Sequence, residues 1–188
     1  MLVPQLLSIA ALLTVSALIL SLLIFHGMTG VPPHSSSSVE AADVVCLLKA
    51  AGLAERAVVY DLGSGWGSLV IALARAFPAA QIRGIEMSPL PYWIARIRTR
   101  NMPNITLRQG NFYDSDLTDA DAVTCYLMIK PMPKLASFLD RMLKPGTPVV
   151  SLSFWFRDRK LAASAKSSGI LGAAALYYWP ARPTGSAS

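Results

Sequence analysis

The sequence predicts an α/β fold, in which helices cover both faces of a mostly parallel sheet, preceded by one apolar N-terminal helix. Short apolar runs typical of buried strands alternate with amphipathic helical patterns from Ala57 onward. A glycine-rich loop joins the first strand to the helix that follows it. Every Asp, Glu, Lys and Arg lies at or beyond Glu40, so the start of the chain is uncharged. Together these features predict one doubly wound domain behind an apolar segment.

The composition is that of one ordered domain with an accessory segment. The chain has 188 residues, 53% of them hydrophobic, and a formal net charge of +6. The apolar fraction excludes an intrinsically disordered chain, and the length argues against two full domains. Two cysteines are too few for the disulfide framework of a small secreted domain. Neither His26 nor His34 has neighbours at metal-ligand spacing, so no metal site is predicted.

The N-terminal segment has the length and composition of a membrane anchor. Residues 2–25 are nearly all apolar and would form a helix of roughly 36 Å, enough to cross a hydrocarbon core of about 30 Å. A cleaved signal peptide is the alternative. No basic residue precedes the run, however, and no small-residue cleavage site follows it. We therefore predict an uncleaved, single-pass transmembrane helix.

The rest of the chain divides by composition. A short linker rich in glycine, proline and serine follows the apolar segment and leads into the α/β domain. The predicted parts are an anchor at 1–25, a linker at 26–38, a domain at 39–180 and a disordered tail at 181–188. Lys49 and Arg56 are the basic residues nearest the anchor, which weakly favours a cytoplasmic domain, either at a bacterial inner membrane or facing the matrix of a mitochondrion.

The domain is predicted to contain six strands and four helices. The strands are expected at residues 57–62, 81–86, 105–109, 122–127, 148–156 and 174–179. The helices are expected from about residue 37, at 67–77, after Ser88 and at 134–143. For the helix after Ser88, the buried face is predicted to be Leu90, Trp93, Ile94 and Ile97. Residues 157–173 show no clear pattern. In such a sheet, ligands bind at the carboxyl ends of the strands.

The loop after the first strand carries glycines at alternate positions, Gly63, Gly65 and Gly67. Glycine allows a sharp turn and close approach of a ligand to the backbone, and the following helix N-terminus offers free N–H groups. A dinucleotide fingerprint would have a third glycine where Ser68 stands, so this spacing disfavours NAD. A phosphate-binding P-loop is also disfavoured, because no Gly-Lys-Ser/Thr follows.

Residues at the ends of the next two strands suit a nucleoside. Glu86 ends the second strand, where a carboxylate can accept hydrogen bonds from both ribose hydroxyls. Asn111 follows the third strand and can bond the edge of an adenine ring. Met87 or Phe112 would pack on the face of that base. The order of these residues along the chain therefore predicts a nucleoside cofactor.

Five segments give the chain a family resemblance. They read VYDLGSGWG, GIEMSP, QGNFYD, DADAVTCYL and LKPGTPVVS. They resemble class I (seven-strand) S-adenosylmethionine-dependent methyltransferases, which have a Rossmann-like fold. The nearest resemblance is to the small membrane-anchored protein-lysine methyltransferases of the ATP-synthase c-subunit and the adenine nucleotide translocator, with their bacterial relatives. It covers residues 32–179 and includes the apolar N-terminal segment.

The resemblance implies S-adenosyl-L-methionine as the cofactor and assigns its contacts. It implies that Asp61 and the glycine loop hold the methionine part, that Glu86 holds the ribose and that Asn111 lies beside adenine. The complete predicted cofactor site is Asp61, Gly63, Ser64, Gly65, Gly67, Glu86, Met87, Asn111 and Phe112. The chain departs from the family pattern at Trp66, Ser68 and Asn111, where the family has an acid, an arginine and an aspartate.

The end of the fourth strand is the expected place of the methyl acceptor. Methyl transfer from a sulfonium needs alignment of the nucleophile and exclusion of water. A lysine acceptor must also lose a proton, because its reference pKa is about 10.4. Tyr126 is the candidate catalytic residue, since its hydroxyl would orient the amine; the alternative is that it only forms a wall of the pocket. Cys125 and Cys46 are expected to pack in the core.

These observations predict a methyltransferase that acts on a lysine of a membrane or membrane-associated protein. The expected partners are that protein and the lipid around the N-terminal helix. Methylation of a lipid or small molecule at the membrane is the first alternative, and a non-catalytic cofactor-binding scaffold is the second. The arginines at 96, 98 and 100 form either a solvated face or a contact with anionic lipid. Nucleic acid is not an expected partner, because basic and aromatic residues do not interleave.

Overall fold

The computed structural model describes residues 2–29, 38–127, 132–165 and 173–180. The chain divides into two compact units, Met1–Pro33 and His34–Ser188. Most of the predicted linker and the whole of the predicted tail at 181–188 lie outside the described residues. The two units are described separately below.

The first unit contains one long helix, α1, at Leu2–Thr29. It continues four residues beyond the predicted anchor, so 26–29 are helical and do not belong to a linker. Ser8 and Thr14 donate their hydroxyls to the carbonyls of Pro4 and Ala10, which satisfies both polar groups within the helix. Among the residues that the structure describes, no helix meets the length and hydropathy expected of a membrane span. The transmembrane assignment therefore stays a prediction.

The second unit is built on a seven-stranded sheet with the order β3-β2-β1-β4-β5-β7-β6. The strands are β1 Val58–Leu62, β2 Gln81–Glu86, β3 Ile105–Gln109, β4 Ala122–Cys125, β5 Thr147–Leu152, β6 Ala163–Ala165 and β7 Ala174–Trp179. Strands β1 to β5 pair in parallel, whereas β7 runs antiparallel to both β5 and β6. The predicted mostly parallel sheet is confirmed.

One strand was not predicted, and two end several residues earlier than predicted. The strand β6 lies inside residues 157–173, and its sequence Ala-Ser-Ala has no apolar alternation that would identify it. The strand β4 ends at Cys125 instead of residue 127, and β5 ends at Leu152 instead of residue 156. Just after β5, Ser153 has a positive φ of 66°, a conformation that an extended strand does not contain.

Four helices of this unit are described, together with one turn of 3-10 helix. They are α2 Ser38–Ala50, α3 Ser68–Ala76, α4 Pro89–Thr99, α5 Met132–Met142 and the 3-10 turn Phe112–Asp114. Because crossovers between parallel strands are right-handed, α3 and α4 share one face of the sheet and α5 lies on the other. Two separate apolar clusters on the two faces agree with this arrangement, and α2 packs beside α3 on the first face.

The buried face predicted for α4 is wrong. Trp93 and Ile97 are 52% and 60% exposed, whereas the buried positions include Tyr92 and Ala95. A Cβ added at Gly67 would lie 3.0 Å from the Cβ of Ala95, so the small side chains of both residues allow the helix to approach the glycine loop. The side of α4 that carries Ala95 therefore faces the loop, and Trp93 and Ile97 lie on its exposed side.

Both cysteines were predicted to lie in the core, and the structure confirms this for only one of the two. Cys125 is completely buried on the face that α5 covers, which confirms its predicted core position. Cys46 is exposed, so its predicted place in the core is wrong. On α2 the buried stripe consists of Val44, Leu47 and Leu48, and Cys46 falls between these positions on another side of the helix.

Candidate active site

The loop from β1 to α3 depends on glycine at each of its three alternate positions. Gly63, Gly65 and Gly67 have φ angles of 78°, 52° and 81°, in the left-handed region that other residues rarely adopt. The backbone N–H groups of Gly63 and Ser64 both donate to the carbonyl of Ile85, at 2.9 and 3.0 Å. The loop is therefore attached to β2 and follows the carboxyl edge of the sheet.

Close packing on the loop gives a second reason for these glycines. A Cβ added at Gly63 would lie 3.0 Å from Cδ2 of Leu127, the residue that follows Tyr126 beyond β4. Gly67 has the equally close contact with Ala95 described above. The loop is thus held between the end of β4 and the helix α4. Leu127 was not among the predicted site residues.

Gly84, inside β2, is a further residue that sequence reasoning missed. A Cβ at this position would lie 2.6 Å from Cδ2 of Leu107 and 2.9 Å from the side chain of Ser64. Ser64 is buried, and its hydroxyl has no hydrogen-bond partner among the described residues. A glycine inside a strand indicates close approach of neighbouring groups, and this signal was available in the sequence.

Glu86 lies at the carboxyl end of β2 and contacts the glycine loop directly. The backbone N–H of Gly65 donates to its Oε2 at 2.8 Å, and that of Ser88 donates to its Oε1 at 2.7 Å. The residue is 9% exposed. Each carboxylate oxygen has a second lone pair, so a side chain oriented by the backbone can still accept two further hydrogen bonds. The structure therefore brings together Glu86 and the glycine loop, as predicted.

The third strand contributes the segment from Gly110 to Phe112. The N–H of Gly110 donates to the carbonyl of Glu86 at 2.9 Å, which places this segment beside the end of β2. Asn111 caps the 3-10 turn, because its Oδ1 accepts the N–H of Tyr113 at 3.1 Å. One lone pair of the oxygen predicted to bond adenine is therefore already occupied. Phe112 is half-buried and packs with Tyr113, and Met87 is 39% exposed.

Asp61 is more deeply buried than the other predicted site residues. It is 2% exposed, and its Oδ1 accepts the hydroxyl of Thr124 at 2.9 Å, which links β1 to β4. Burial, and to a smaller extent the charge of Glu86, raises the pKa of Asp61 to about 7, against the hydrogen bond from Thr124. Thr124 was not predicted, because its partner is 63 residues away in the sequence.

The predicted catalytic residue directly precedes Leu127, the residue that contacts the loop at Gly63. Tyr126 follows β4 and is half-buried against the apolar cluster of α2 and α3, while residues 128–131 lie outside the described part of the chain. Burial raises the pKa of the neighbouring Cys125 to about 12, so its thiol is not ionised at neutral pH. The role of Tyr126 stays a prediction, and Cys125 is not activated as a nucleophile.

Arg98 of α4 stabilises the part of the loop that departs from the family pattern. Its guanidinium donates to the carbonyl of Trp66 and, at 3.4 Å, to the hydroxyl of Ser68. Trp66 is half-buried and Ser68 begins α3. Arg98 was not a predicted site residue, and a contact 32 residues along the chain gives no local sequence signal.

The arrangement fits a nucleoside that carries an amino-acid tail. Three glycines open the backbone of the loop, an oriented carboxylate is available for a diol, and the buried hydroxyl of Ser64 has no partner among the described residues. The positions of Glu86 and Asn111 at neighbouring strand ends match the expected places of ribose and base. These features favour S-adenosylmethionine on the basis of the residues themselves.

Comparisons with known proteins identify the family. The model of the ANTKMT methyltransferase domain matches residues 61–163. A protein-lysine N-methyltransferase from Saccharolobus islandicus is 32% identical over 114 residues, which cover 59% of this chain and 71% of that protein. A ubiquinone biosynthesis O-methyltransferase from Alkalilimnicola ehrlichii is 35% identical over 99 residues, but the match covers only 39% of that protein.

A solved structure agrees with these relatives. The RNA methyltransferase from Salinibacter ruber in complex with S-adenosyl-L-homocysteine has a TM-score of 0.67 and 30% identity, covering 81% of this chain and 95% of that one. The predicted seven-strand methyltransferase fold, enzyme class and cofactor are therefore confirmed. The chain belongs to the ANTKMT methyltransferase domain family, and it is an S-adenosylmethionine-dependent methyltransferase.

Proposed function

We propose that the chain is a protein-lysine N-methyltransferase that acts on a protein in or beside a membrane. The observation that carries the lysine assignment is the match to the protein-lysine N-methyltransferase from Saccharolobus islandicus, which includes 71% of that protein. The family match beginning at Asp61 agrees with it. The membrane assignment has separate support, from the composition of the N-terminal helix α1.

Within this proposal, the loop and the strand ends bind the cofactor. Glu86 accepts the ribose hydroxyls with the lone pairs that Gly65 and Ser88 leave free. The glycine loop and the hydroxyl of Ser64 receive the amino-acid part. Asn111 contacts the adenine edge, and Phe112 and Met87 contact its face. When bound, the cofactor supplies a methyl group on a cationic sulfur.

The remaining task of the chain is to prepare the acceptor amine. A lysine side chain has to lose its proton before it can attack, and an apolar entrance lowers the pKa of such an amine. Tyr126 and Leu127 follow β4, and Leu127 contacts the loop at Gly63, where the proposal puts the entry of the acceptor. In the proposed reaction Tyr126 orients the neutral amine through its hydroxyl, and the surrounding side chains exclude water.

The membrane location is proposed from the first unit. Residues 1–39 contain no Asp, Glu, Lys or Arg, and α1 is 28 residues long. Among the side chains of α1 that the structure describes, Leu6, Leu12 and Leu13 are more than half exposed. A helix of this composition is stabilised by lipid, since burial of its side chains removes apolar surface from water. The proposal puts the methyltransferase domain on the cytoplasmic or matrix side, as the basic residues after the segment favour.

Calorimetric titration with S-adenosylmethionine and S-adenosylhomocysteine tests the cofactor site. Hydrogen bonds to charged groups contribute about 1.5–3 kcal/mol, so we expect Glu86→Ala to weaken binding of both by roughly tenfold or more. Glu55→Ala is the matched control, because it makes the same substitution at an exposed carboxylate outside the site. Equal affinities of the Glu86→Ala variant and the unmodified protein would contradict the proposed role of Glu86.

Transfer of label from tritiated S-adenosylmethionine into membrane extracts tests the acceptor. We expect labelled material that is sensitive to protease and resistant to ribonuclease and organic extraction. Mass spectrometry should then find added methyl groups on lysine, and the Glu86→Ala variant should not produce them. Label found only in the protease-resistant material would disprove lysine as the acceptor.

The ribonuclease and organic-extraction steps of this experiment test two alternative acceptors. The similarity to the Salinibacter ruber structure favours RNA as a second acceptor, and it predicts label that ribonuclease removes. The similarity to a ubiquinone biosynthesis O-methyltransferase agrees with a small molecule or lipid of the membrane, and it predicts label that moves into organic solvent. The three acceptors are thus separated in one measurement.

A further inference from the structure

We propose that the outer face of α4 docks on an anionic lipid bilayer and thereby holds the edge of the cofactor site at the membrane surface. We call this face the α4 stripe and define it as Trp93, Arg96, Ile97 and Arg100. The inference deepens the membrane location proposed above and rests on it. It does not depend on lysine as the acceptor.

The apolar members of the α4 stripe are the first observation. Trp93 and Ile97 are separated by one helical turn, and both are more than half exposed. Met87, two residues before the helix, is also exposed. The side of α4 that packs on the domain is complete without them, because Tyr92, Ala95 and Thr99 are already buried. The exposed pair is therefore available for a contact outside the domain.

The charge of the α4 stripe identifies the partner. Arg96 and Arg100 lie on the same side of the helix as Trp93, at spacings of three and seven residues, and both are exposed. The guanidinium of Arg96 lies 5.2 Å from the centre of a Trp93 ring. The helix has no acidic residue between Pro89 and Thr99. A surface that combines tryptophan and isoleucine with arginines alone is complementary to anionic headgroups above acyl chains.

The position of α4 connects docking to the reaction. The helix begins directly after Ser88, whose N–H holds Glu86, and Ala95 supports the loop at Gly67. The α4 stripe lies on the opposite side of the same helix, so contact with lipid leaves the contacts with the loop unchanged. A bilayer that receives this stripe would have the cofactor site at its surface, where a membrane protein presents its side chains.

A fluorescent probe on α4 tests the proposal in the full-length protein. The labelled variant carries Cys46→Ser and Ile97→Cys with a polarity-sensitive fluorophore, and the buried Cys125 does not react. The control carries Ser137→Cys instead, at an exposed position on α5 across the sheet. Both proteins are reconstituted in phosphatidylcholine vesicles and in vesicles of phosphatidylcholine mixed with phosphatidylglycerol. The N-terminal helix is present in every variant and is expected to attach each of them to the vesicles. The experiment therefore measures the emission of the fluorophore, which reports on the contact of α4 with lipid, and not attachment itself.

We expect the emission of the probe at position 97 to shift to shorter wavelength in the anionic vesicles, and that of the probe at 137 to stay unchanged. Adding Arg96→Gln and Arg100→Gln should abolish the shift. Raising the salt to about 1 M, where the Debye length is roughly 3 Å, should reduce it. No shift at 97 in the anionic vesicles, or equal shifts at 97 and 137, would each overturn the proposal.

The vesicles contain neither an acceptor protein nor cofactor. If the probe at position 97 shows no shift, the transfer of methyl groups to lysine is still tested by the labelling experiment. If that experiment finds no methylated lysine, the fluorescence shift still tests docking of α4 on lipid. Ile97 and Ser137 are both exposed, and substitutions at such positions usually change stability by less than about 0.5 kcal/mol. Both labelled proteins are thus expected to fold.

Discussion

The helices α4 and α5 have similar apolar patterns in the sequence, but the apolar side is buried in α5 and exposed in α4. On α5 the stripe that contains Leu135, Phe138 and Leu139 is buried against the sheet, as its spacing predicts. On α4 the stripe that contains Trp93 and Ile97 faces outward. Helical periodicity therefore identified the apolar side of each helix correctly, but it did not identify the side that the sheet covers.

The difference arises from what each helix packs against. The α5 face of the sheet presents large apolar side chains, and a helix with bulky residues fills the space above them. The α4 helix instead approaches the glycine loop, where Gly67 and Ala95 leave room for close contact. At that contact α4 presents Ala95, and Tyr92 and Thr99 fill the buried positions beside it. Four substitutions, at Phe138, Asp61, Ala95 and Ile97, test this difference between the two helices and the faces they cover.

The largest effect is expected at the centre of α5. Phe138 is 2% exposed and contacts Tyr113 edge to face. Phe138→Ala should lower the free energy of unfolding by about 3–5 kcal/mol, because it removes buried surface and leaves a cavity. Urea unfolding of the protein in mild detergent measures this loss. A loss below 1 kcal/mol would show that the α5 face is not the tightly packed one.

The second prediction concerns the buried acid on the other face. Asp61 has a pKa of about 7 in the folded protein, above its ordinary 3.8, so between these values the folded state holds a proton that the unfolded chain has released. The contribution of Asp61 to stability therefore falls as pH rises through this window and is constant above it. Relative to Asp61→Asn, we expect the protein to lose about 2–3 kcal/mol between pH 5 and pH 8, at 1.36 kcal/mol per pKa unit.

Urea unfolding at the two pH values, on both proteins, gives this difference directly. The asparagine keeps an oxygen that can accept the hydroxyl of Thr124, so it changes the charge and preserves the contact. A parallel pH dependence of the two proteins would show that Asp61 is not the group that titrates.

The third prediction addresses the packed side of α4. Ala95 is completely buried against the glycine loop. Ala95→Leu should cost about 1–3 kcal/mol by overpacking, and it should also weaken cofactor binding, because the loop must move. Unfolding and calorimetric titration measure the two effects. If the Ala95→Leu protein is destabilised but binds the cofactor with unchanged affinity, the contact between α4 and the loop does not contribute to cofactor binding.

The smallest effect is expected on the outer side of the same helix. Ile97→Ala removes a side chain that is 60% exposed, and stability should change by less than about 0.5 kcal/mol. The same unfolding experiment, run beside Phe138→Ala, gives the contrast between the two apolar stripes. A loss as large as that of a core residue would mean that Ile97 is covered by other parts of the chain.

Much of the candidate site could be predicted because parallel strands end at a common edge. Glu86 and Asn111 were assigned from their places after β2 and β3, and the hydrogen bond from Gly110 to the carbonyl of Glu86 brings these ends together. Two of the residues that were missed act across the fold: Thr124 holds Asp61, and Arg98 holds the carbonyl of Trp66. Their partners lie 63 and 32 residues away, a separation at which local patterns carry no information.

The mostly parallel sheet, the glycine loop and the acid beside it could all be predicted from the amino-acid sequence. Each of these follows from local spacing and from the geometry of strand–helix–strand units. The buried side of α4 and the orientation of Glu86 could not be predicted in this way. Both outcomes depend on contacts between separate elements, Ala95 with Gly67 and Gly65 with Glu86, and such contacts exist only once the chain is packed.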